Sequence, residues 1–180
     1  MKKVFCLIPL IIPLCFTISC QNKAQKAELE KMKATAQTEE QNKAVVRQFF
    51  EAIDAQNFER INELLAPDCV LHYSGPQEDL SAETVVQVIR SYYQAFPDGT
   101  HAIEDIIAKG DKVVARALWQ GTQKAEFQGI PPSGNAVKFY QISVSQVVDG
   151  KIKECWMVED NLGFMMQLGM ELKPKEAEKK

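Results

Sequence analysis

The sequence predicts an α+β domain in which helices cover one face of a mainly antiparallel sheet. Two observations lead to this fold class. Apolar residues recur at helical spacing in the first half of the chain, and runs rich in β-branched and aromatic residues, separated by turn signals, fill the second half. Helices followed by a series of strands are typical of α+β folds. The 180 residues carry a formal charge of −3 without a basic block, so we do not expect nucleic-acid binding.

Residues 1–19 have the pattern of an export signal peptide. Lys2 and Lys3 precede an apolar run from Val4 to Phe16, which is too short to span a bilayer core of about 30 Å comfortably. The segment that ends at Cys20 resembles the lipobox of bacterial lipoproteins. That resemblance implies cleavage before Cys20, acyl chains such as palmitate on this residue, and attachment to a membrane. The alternative is an ordinary secretory signal in which the cysteine is incidental. Loss of the two lysines would change the charge from −3 to −5.

The predicted mature chain has three parts. Residues 20–41 form a polar tether that begins at the lipidated cysteine, because the segment is rich in Lys, Glu, Gln and Ala and contains no Gly or Pro. Residues 42–170 form the folded domain, and residues 171–180 form a charged tail. By resemblance to bacterial sorting signals, Gln21 favours the periplasmic face of the outer membrane if the cell is Gram-negative.

Three helices are predicted before the main strands. Their apolar stripes are Val45, Val46, Phe49, Phe50 and Ile53 in the first, Phe58, Ile61, Leu64 and Leu65 in the second, and Val85, Val86, Ile89, Tyr92, Tyr93 and Phe96 in the third. Pro67 is expected to stop the second helix, and Ser81 to cap the start of the third. The turn at 97–99 ends the third helix.

The strands are predicted from β-rich runs between turn signals. They cover residues 69–73, 101–108, 112–122, 136–148 and 151–160, and a closing helix follows at 162–168. Asp149-Gly150 between two such runs is a strong hairpin signal. Cys69 and Cys155 lie in strand-like stretches, where they form either a disulfide or two buried thiols.

Several strings in order resemble one known family. They are FPD at 96–98, IEDIIAKGDKVVAR at 103–116, EFQGIPPSG at 126–134, DGKIKECW at 149–156, DNLG at 160–163 and QLG at 167–169. Over residues 42–170 the chain is similar to SnoaL-like polyketide cyclases. The resemblance implies the cone of nuclear-transport-factor-two-like (cystatin-like) proteins, a curved sheet wrapped around N-terminal helices with a pocket inside. It also implies chemistry without a cofactor, and relatives that are often dimers.

Asp160 is the first candidate for a catalytic residue. Strand alternation places Trp156, Val158 and Asp160 on one face of the last strand, and this more aromatic face is predicted to line the pocket. A carboxylate in such surroundings has a raised pKa and suits general acid–base catalysis. The resemblance implies the same role, since the family uses an aspartate after the Trp of the last strand. The alternative is that Asp160 caps the closing helix.

Both histidines are further catalytic candidates. The resemblance implies that His72 and His101 lie at the pocket. The alternative for His72 is a surface or hydrogen-bonded histidine, and the alternative for His101 is a solvent-exposed residue at the start of a strand. Two histidines and no CxxC motif make a metal site unexpected. The predicted ligand contacts are Trp119, Phe127, Tyr140 and Trp156, with packing in the core as the alternative for strand aromatics.

Together these features predict a lipid-anchored cell-envelope protein that binds a small apolar ligand with a carbonyl group. Acid–base catalysis without a cofactor, giving cyclisation, isomerisation or hydration, is the first functional hypothesis. A non-catalytic ligand-binding or homodimerisation module of the envelope is the alternative. The fold alone does not distinguish them.

Overall fold

The computed structural model describes residues 12–73, 79–171 and 173, and it describes side chains from residue 23 onward. The first part of the predicted signal peptide, the predicted turn at 74–76 and the end of the charged tail lie outside the described residues. The chain divides into two units, Met1–Thr38 and Glu39–Lys180. None of the described helices has the combination of length and apolar character needed to cross a membrane.

The described residues form four helices and six strands. In chain order they are α1 (Ile12–Asp54), α2 (Phe58–Leu64), β1 (Leu65–Tyr73), β2 (Leu80–Ser81), α3 (Ala82–Ala95), β3 (Thr100–Lys109), β4 (Lys112–Thr122), β5 (Ala136–Val148), β6 (Lys151–Glu159) and α4 (Asn161–Gln167). The segment predicted to be a polar tether is helical throughout, as part of α1, and its side chains from residue 23 to 38 are exposed.

The six strands form one curved, open sheet with the order β2-β1-β6-β5-β4-β3. The β1–β6 pair is parallel and the other neighbouring pairs are antiparallel, which agrees with the predicted mainly antiparallel sheet. The long β3–β4–β5 ladder, which has an irregularity between Ile103 and Asp105 on β3, positions several of the residues that matter for the site. Strand β2, a two-residue edge strand, was not predicted from the sequence.

The core lies on the concave face of this sheet. Val46 and Phe50 of α1 pack against a cluster of small and branched residues on β4 and β5, and Ile53 packs in a second cluster with α3 and β1. The apolar spacing that predicted these helices therefore corresponds to the faces that they bury. A third cluster is aromatic and joins α3, β4, β5 and α4; it contains Phe96, Trp119, Phe127, Phe139 and Phe164.

Local signals explain where several elements begin and end. The Ser81 hydroxyl accepts a hydrogen bond from the Thr84 backbone N–H at 3.3 Å, so the predicted N-cap of α3 is confirmed. Asp149 and Gly150 both have positive φ, 50° and 73°, as a two-residue hairpin turn requires.

The predicted role of Pro67 is wrong. Helix α2 ends at Leu64, and Pro67 lies within β1 rather than after a helix end. The pairing of β1 with β6 is irregular between Leu65 and Val70. Proline is tolerated at such a place because an irregular strand segment does not need every backbone N–H for the ladder.

Candidate functional site

A cavity lies between the concave face of the sheet and the helices α1 and α3. The space open to the centre of a water molecule is about 80 Å³, and the whole empty volume, including the open mouth, is about 750 Å³. A single water needs only about 10–15 Å³ by the first measure, so the cavity has room for a small organic molecule. Its apolar lining consists of Phe49, Phe50, Ile53, Leu65, Leu71, Val85, Val88, Ile89, Trp119, Phe139, Ile152 and Met157. Its polar or ionisable lining consists of Cys69, Tyr92, Tyr93, His101, Gln141, Cys155 and Glu159.

His101, a predicted catalytic residue, lines this cavity at the start of β3. Its side chain is 7% exposed, and its Nδ1 lies 2.5 Å from Oδ1 of Asp54. An ionised carboxylate only accepts hydrogen bonds, so this contact places the imidazole proton on Nδ1. Among the described residues nothing bonds to Nε2, which is therefore the nitrogen available to a ligand.

Asp54, the last residue of α1, holds this histidine in two ways. Besides the Nδ1 contact, Oδ2 accepts a hydrogen bond from the His101 backbone N–H at 2.9 Å. The Tyr93 hydroxyl of α3 donates to Oδ1 at 3.0 Å. Burial, and secondly the charge of Asp54, raise the pKa of Tyr93, so the phenol stays protonated as a donor. The arrangement fixes the tautomer and orientation of the imidazole, as in a carboxylate–histidine pair of an acid–base catalyst.

The cavity face predicted for β6 is wrong. Cys155, Met157 and Glu159 line the cavity, whereas Trp156 and Val158 are 37% and 56% exposed on the opposite, outer face of the sheet. The predicted face and the observed face differ along the whole C-terminal half of the strand.

A one-residue irregularity in β6 is the physical reason. Gln146 of β5 pairs with Glu154, but the next residue, Val147, pairs with Ile152. Lys153 is thus an extra residue on β6, a β-bulge. Because side chains alternate between faces, one extra residue transfers every later side chain to the other face.

Glu159 is therefore the carboxyl group that lines the cavity. It ends β6 and lies opposite Gln141 of β5. Burial raises the pKa of Glu159 from 4.5 to about 7. Tyr92 on α3 and Tyr73 on β1 have pKa values raised by burial and, secondly, by the charge of Glu159. Near neutral pH this carboxyl group consequently exists in both its acid and its ionised form.

Asp160 is exposed and outside the cavity lining, where it caps α4. Its Oδ1 accepts a hydrogen bond from the Gly163 backbone N–H at 2.9 Å. A Cβ at position 163 would collide with the Asp160 carboxylate, so glycine permits the close approach. The desolvation argument for a catalytic Asp160 rested on the wrong strand face and applies instead to Glu159.

His72 also lies outside the cavity lining. Its neighbour Leu71 faces the cavity, so strand alternation directs His72 to the outer face, where its ring stacks on Trp156 with centroids 5.1 Å apart. Nδ1 lies 2.7 Å from Asp79 and Nε2 lies 2.9 Å from Glu154. Both partners are acceptors, and hydrogen bonds to Glu154 first and Asp79 second raise the pKa of His72.

The four predicted ligand contacts are found in different places. Trp119 lines the cavity, 3% exposed and stacked on Phe139 at 5.0 Å. Phe127 is buried in the aromatic cluster, with its ring centroid 4.7 Å from that of Tyr92, and does not line the cavity. Tyr140, 51% exposed, and Trp156 lie on the outer face, so the expectation that they form a cavity wall is wrong. Phe139, next to Tyr140, has the inward position.

Cys69 and Cys155 are free thiols that line the cavity. Burial is the main cause that raises the pKa of each to about 11. In the described part of the chain, no group of three or more His, Cys, Asp or Glu side chains is arranged to hold a metal ion.

Asp54, Gln141 and Glu159 are site residues that the sequence analysis missed. Asp54 directly follows Ile53, the last apolar residue of the first helical stripe, so its nearness to the cavity could have been inferred. Its partner is 47 residues away in the chain, and no local pattern connects them. Glu159 was placed on the outer face because the bulge has no signature in the sequence.

Comparisons with known proteins give a consistent family. The SnoaL-like polyketide cyclase family matches residues 43–168. IdmH of Streptomyces antibioticus, a proposed polyketide cyclase, is 32% identical over 72% of this chain and 99% of its own, with a TM-score of 0.66. AclR of Streptomyces galilaeus, a proposed hydroxylase, is 26% identical over 71% of this chain and 95% of its own, also with a TM-score of 0.66.

A more distant structure shows the fold alone. An epoxide hydrolase of M. tuberculosis is 17% identical over 73% of this chain and 91% of its own, with a TM-score of 0.60. A comparison with curated protein sequences finds no match. The domain therefore has the curved-sheet architecture that its sequence predicts.

We predict that Asp160→Ala lowers the free energy of unfolding by about 1 kcal/mol, because α4 loses its N-cap. Asp160→Asn keeps a capping oxygen and is expected to leave stability within a few tenths of a kcal/mol of wild type. Urea denaturation followed by circular dichroism measures both variants. Equal destabilisation by the two substitutions would contradict the capping role.

Proposed function

Since the chain belongs to the SnoaL-like polyketide cyclase family, we propose that its cavity binds a small, largely apolar carbonyl compound and catalyses proton transfer next to the carbonyl group. The proposal rests mainly on one observation, the buried His101 whose Nδ1 is bound to Asp54 while its ring lines an apolar cavity. A neutral imidazole with a fixed tautomer is a suitable general base near neutral pH.

In the proposed mechanism, Nε2 of His101 removes a proton from the carbon next to the ligand carbonyl. The C–H bond breaks, its electron pair forms the enolate, and the negative charge moves to the carbonyl oxygen. Asp54 stabilises the imidazolium that results. When the ligand is an enone, return of the proton to another carbon of the dienolate gives an isomer. Attack of the enolate on a second carbonyl group forms the C–C bond of a ring, and the imidazolium then gives its proton to the resulting alkoxide.

The relatives support carbonyl chemistry without defining the reaction. IdmH is named as a proposed polyketide cyclase and AclR as a proposed hydroxylase, so similar chains in this family are associated with different outcomes. What this chain shares with an enolising catalyst is the base and the apolar surroundings, and the proposal is limited to that step.

To test the proposal we suggest measuring exchange of the ring protons next to the carbonyl of 2-tetralone in D₂O by proton NMR. Wild-type protein is expected to accelerate exchange, and His101→Gln to slow the catalysed rate by about 100-fold or more, because the base is removed. Asp54→Asn is expected to slow it by at least about tenfold through the wrong tautomer. Glu154→Gln, on the outer face, serves as the control. Undiminished exchange in His101→Gln would refute the assignment.

We propose further that the domain works at the cell envelope, attached to a membrane through acyl chains on Cys20. Support comes from Lys2 and Lys3, the short apolar run and the cysteine at its end. A largely apolar ligand would be available there from the membrane.

Expression in a bacterial host tests this location. Wild-type protein is expected in the membrane fraction and is expected to incorporate labelled palmitate. The Cys20→Ser variant is expected to lack the label and either to appear in the soluble fraction or to keep its signal peptide. Cys69→Ser is the matched control and is expected to be labelled like wild type. A wild-type protein without label would exclude the lipid anchor.

A second function, homodimerisation through the sheet, is favoured by the outer face. Exposed apolar side chains form a continuous patch there: Ile107, Tyr140, Ile142, Trp156 and Val158 are between 37% and 66% exposed. Ile142 on β5 pairs with Val158 on β6, and the row of paired residues Val114 and Val144 connects Ile107 on β3 with Trp156 on β6. Contiguous apolar surface of this kind marks interaction sites.

We propose a second copy of this chain as the occupant of this patch, which is bordered by charges of both signs. Arg116 is paired with Glu104 and Asp105 at one border, and Lys112 lies over the Trp156 ring at 4.3 Å. A surface with both signs at its border can complement itself across a two-fold axis.

Sedimentation velocity tests the dimer. Wild-type protein is expected to dimerise at micromolar concentration, and Ile142→Lys to raise the dissociation constant by at least about tenfold by placing an unpaired charge in the interface. Leu29→Lys, an equally exposed leucine in the other unit of the chain, is the control. A wild-type monomer at 100-fold higher concentration would exclude this interface.

A further inference from the structure

We infer that Gln141 and Glu159 form the polar end of the ligand site and bind the acceptor oxygen of the ligand, whose ring body lies over Trp119 and Phe139. This inference rests on the proposed function, because it specifies which part of the carbonyl compound binds where. It assigns a recognition role to two side chains on neighbouring strands, away from the His101–Asp54 pair.

Gln141 is the more buried of the two residues, with 4% of its surface exposed, and it lines the cavity. Among the described residues, its side-chain amide makes no hydrogen bond. Buried polar groups nearly always have a hydrogen-bond partner. Among the described residues no side-chain N or O atom is both unpaired and sealed off from solvent, so the amide of Gln141 is open to the cavity. The cavity is the space from which a ligand can supply that partner.

Glu159 is placed beside this amide by the strand register. The two residues are directly opposite each other on β5 and β6 and share the cavity face. Cβ atoms of such antiparallel neighbours lie about 4.5–5.5 Å apart, so both side chains can reach the same ligand atom. Among the residues that the structure describes, no Lys or Arg side chain lines the cavity to pair with the carboxylate.

The protonation state of Glu159 decides what this pair can bind. Burial raises the pKa of Glu159 to about 7, so below neutral pH the group is an acid with an O–H donor. Titratable groups facing it are Tyr92 on α3 and Tyr73 on β1, with His101 on β3 and Tyr93 on α3 across the cavity. The thiols of Cys69 on β1 and Cys155 on β6 also line the cavity, and their pKa values of about 11 keep them uncharged in this range. The raised pKa values of the three tyrosines keep them uncharged in this range.

Two donors then face one space, the Glu159 O–H and the Gln141 N–H. Such a pair matches a carbonyl oxygen, which has two lone pairs. Above neutral pH the carboxylate only accepts hydrogen bonds and repels the carbonyl oxygen, so the affinity for a ketone falls as pH rises through about 7.

The floor of the cavity indicates the shape of the ligand body. His101, Trp119 and Phe139 lie side by side on β3, β4 and β5, and Gln141 follows two residues after Phe139 on the same face. The stacked rings of Trp119 and Phe139 therefore form the cavity floor between the histidine and the polar end, and the inferred pose turns the carbon next to the bound carbonyl group toward His101. A flat cyclic body fits such a surface, because ring faces pack well against aromatic rings.

The test compares 2-tetralone with tetralin, a hydrocarbon of nearly the same shape, by equilibrium dialysis against the full chain at pH 5.5–8.5. We expect wild type to bind the ketone about tenfold more tightly than the hydrocarbon at pH 5.5, and this preference to disappear by pH 8.5. Glu159→Gln retains a donor and is expected to keep the preference at every pH. Glu159→Leu and Gln141→Leu are expected to reduce it, and Glu154→Gln is the outer-face control.

The outcomes separate this inference from the proposed function. Equal binding of ketone and hydrocarbon, unchanged by either Glu159 substitution, would overturn the polar end while leaving an apolar ligand site intact. A preference that varies with pH equally in wild type and Glu159→Gln would assign the titration to another group and would also overturn the inference. Binding of neither compound would overturn both.

Discussion

The carboxylate of Asp54 is the contact on which the candidate site depends, because it joins three elements of the domain. It ends α1, accepts the Tyr93 hydroxyl of α3, and accepts two N–H groups of His101 at the start of β3. A partly buried carboxylate with three donors is stable, whereas loss of one donor leaves charge unpaired. The same set of hydrogen bonds therefore connects both helices to the sheet and orients the imidazole.

Most of the fold could be predicted from local patterns. The apolar stripe through Val46, Phe50 and Ile53 and the Asp149-Gly150 hairpin signal each reflect a physical requirement that acts over a few residues. The exception at Pro67 shows the limit of this reasoning. A proline shows that a position does not belong to a helix interior, but it does not show whether the position follows a helix end or lies in an irregular strand. Here the pairing of β1 with β6 decides between the two.

The candidate site was less predictable because its residues are brought together by pairing across the sheet. Strand alternation from Trp156 selected Asp160, but the bulge at Lys153 exchanges the two faces and brings Glu159 into the cavity. The argument that a desolvated carboxyl group lies at the end of the last strand still applies, but to Glu159 instead of Asp160. The Asp54–His101 contact has no counterpart in any short sequence pattern, since the partners belong to distant elements.

The two cysteines of the cavity have a consequence for the molecules that it can tolerate. With pKa values of about 11, only about one thiol in ten thousand is ionised at neutral pH, and the thiolate is the form that attacks electrophiles. Enones and quinones, which alkylate ordinary cysteines, would thus meet sulfur atoms that react slowly. Burial of the two thiols thus lowers the risk of alkylation at the wall of the cavity.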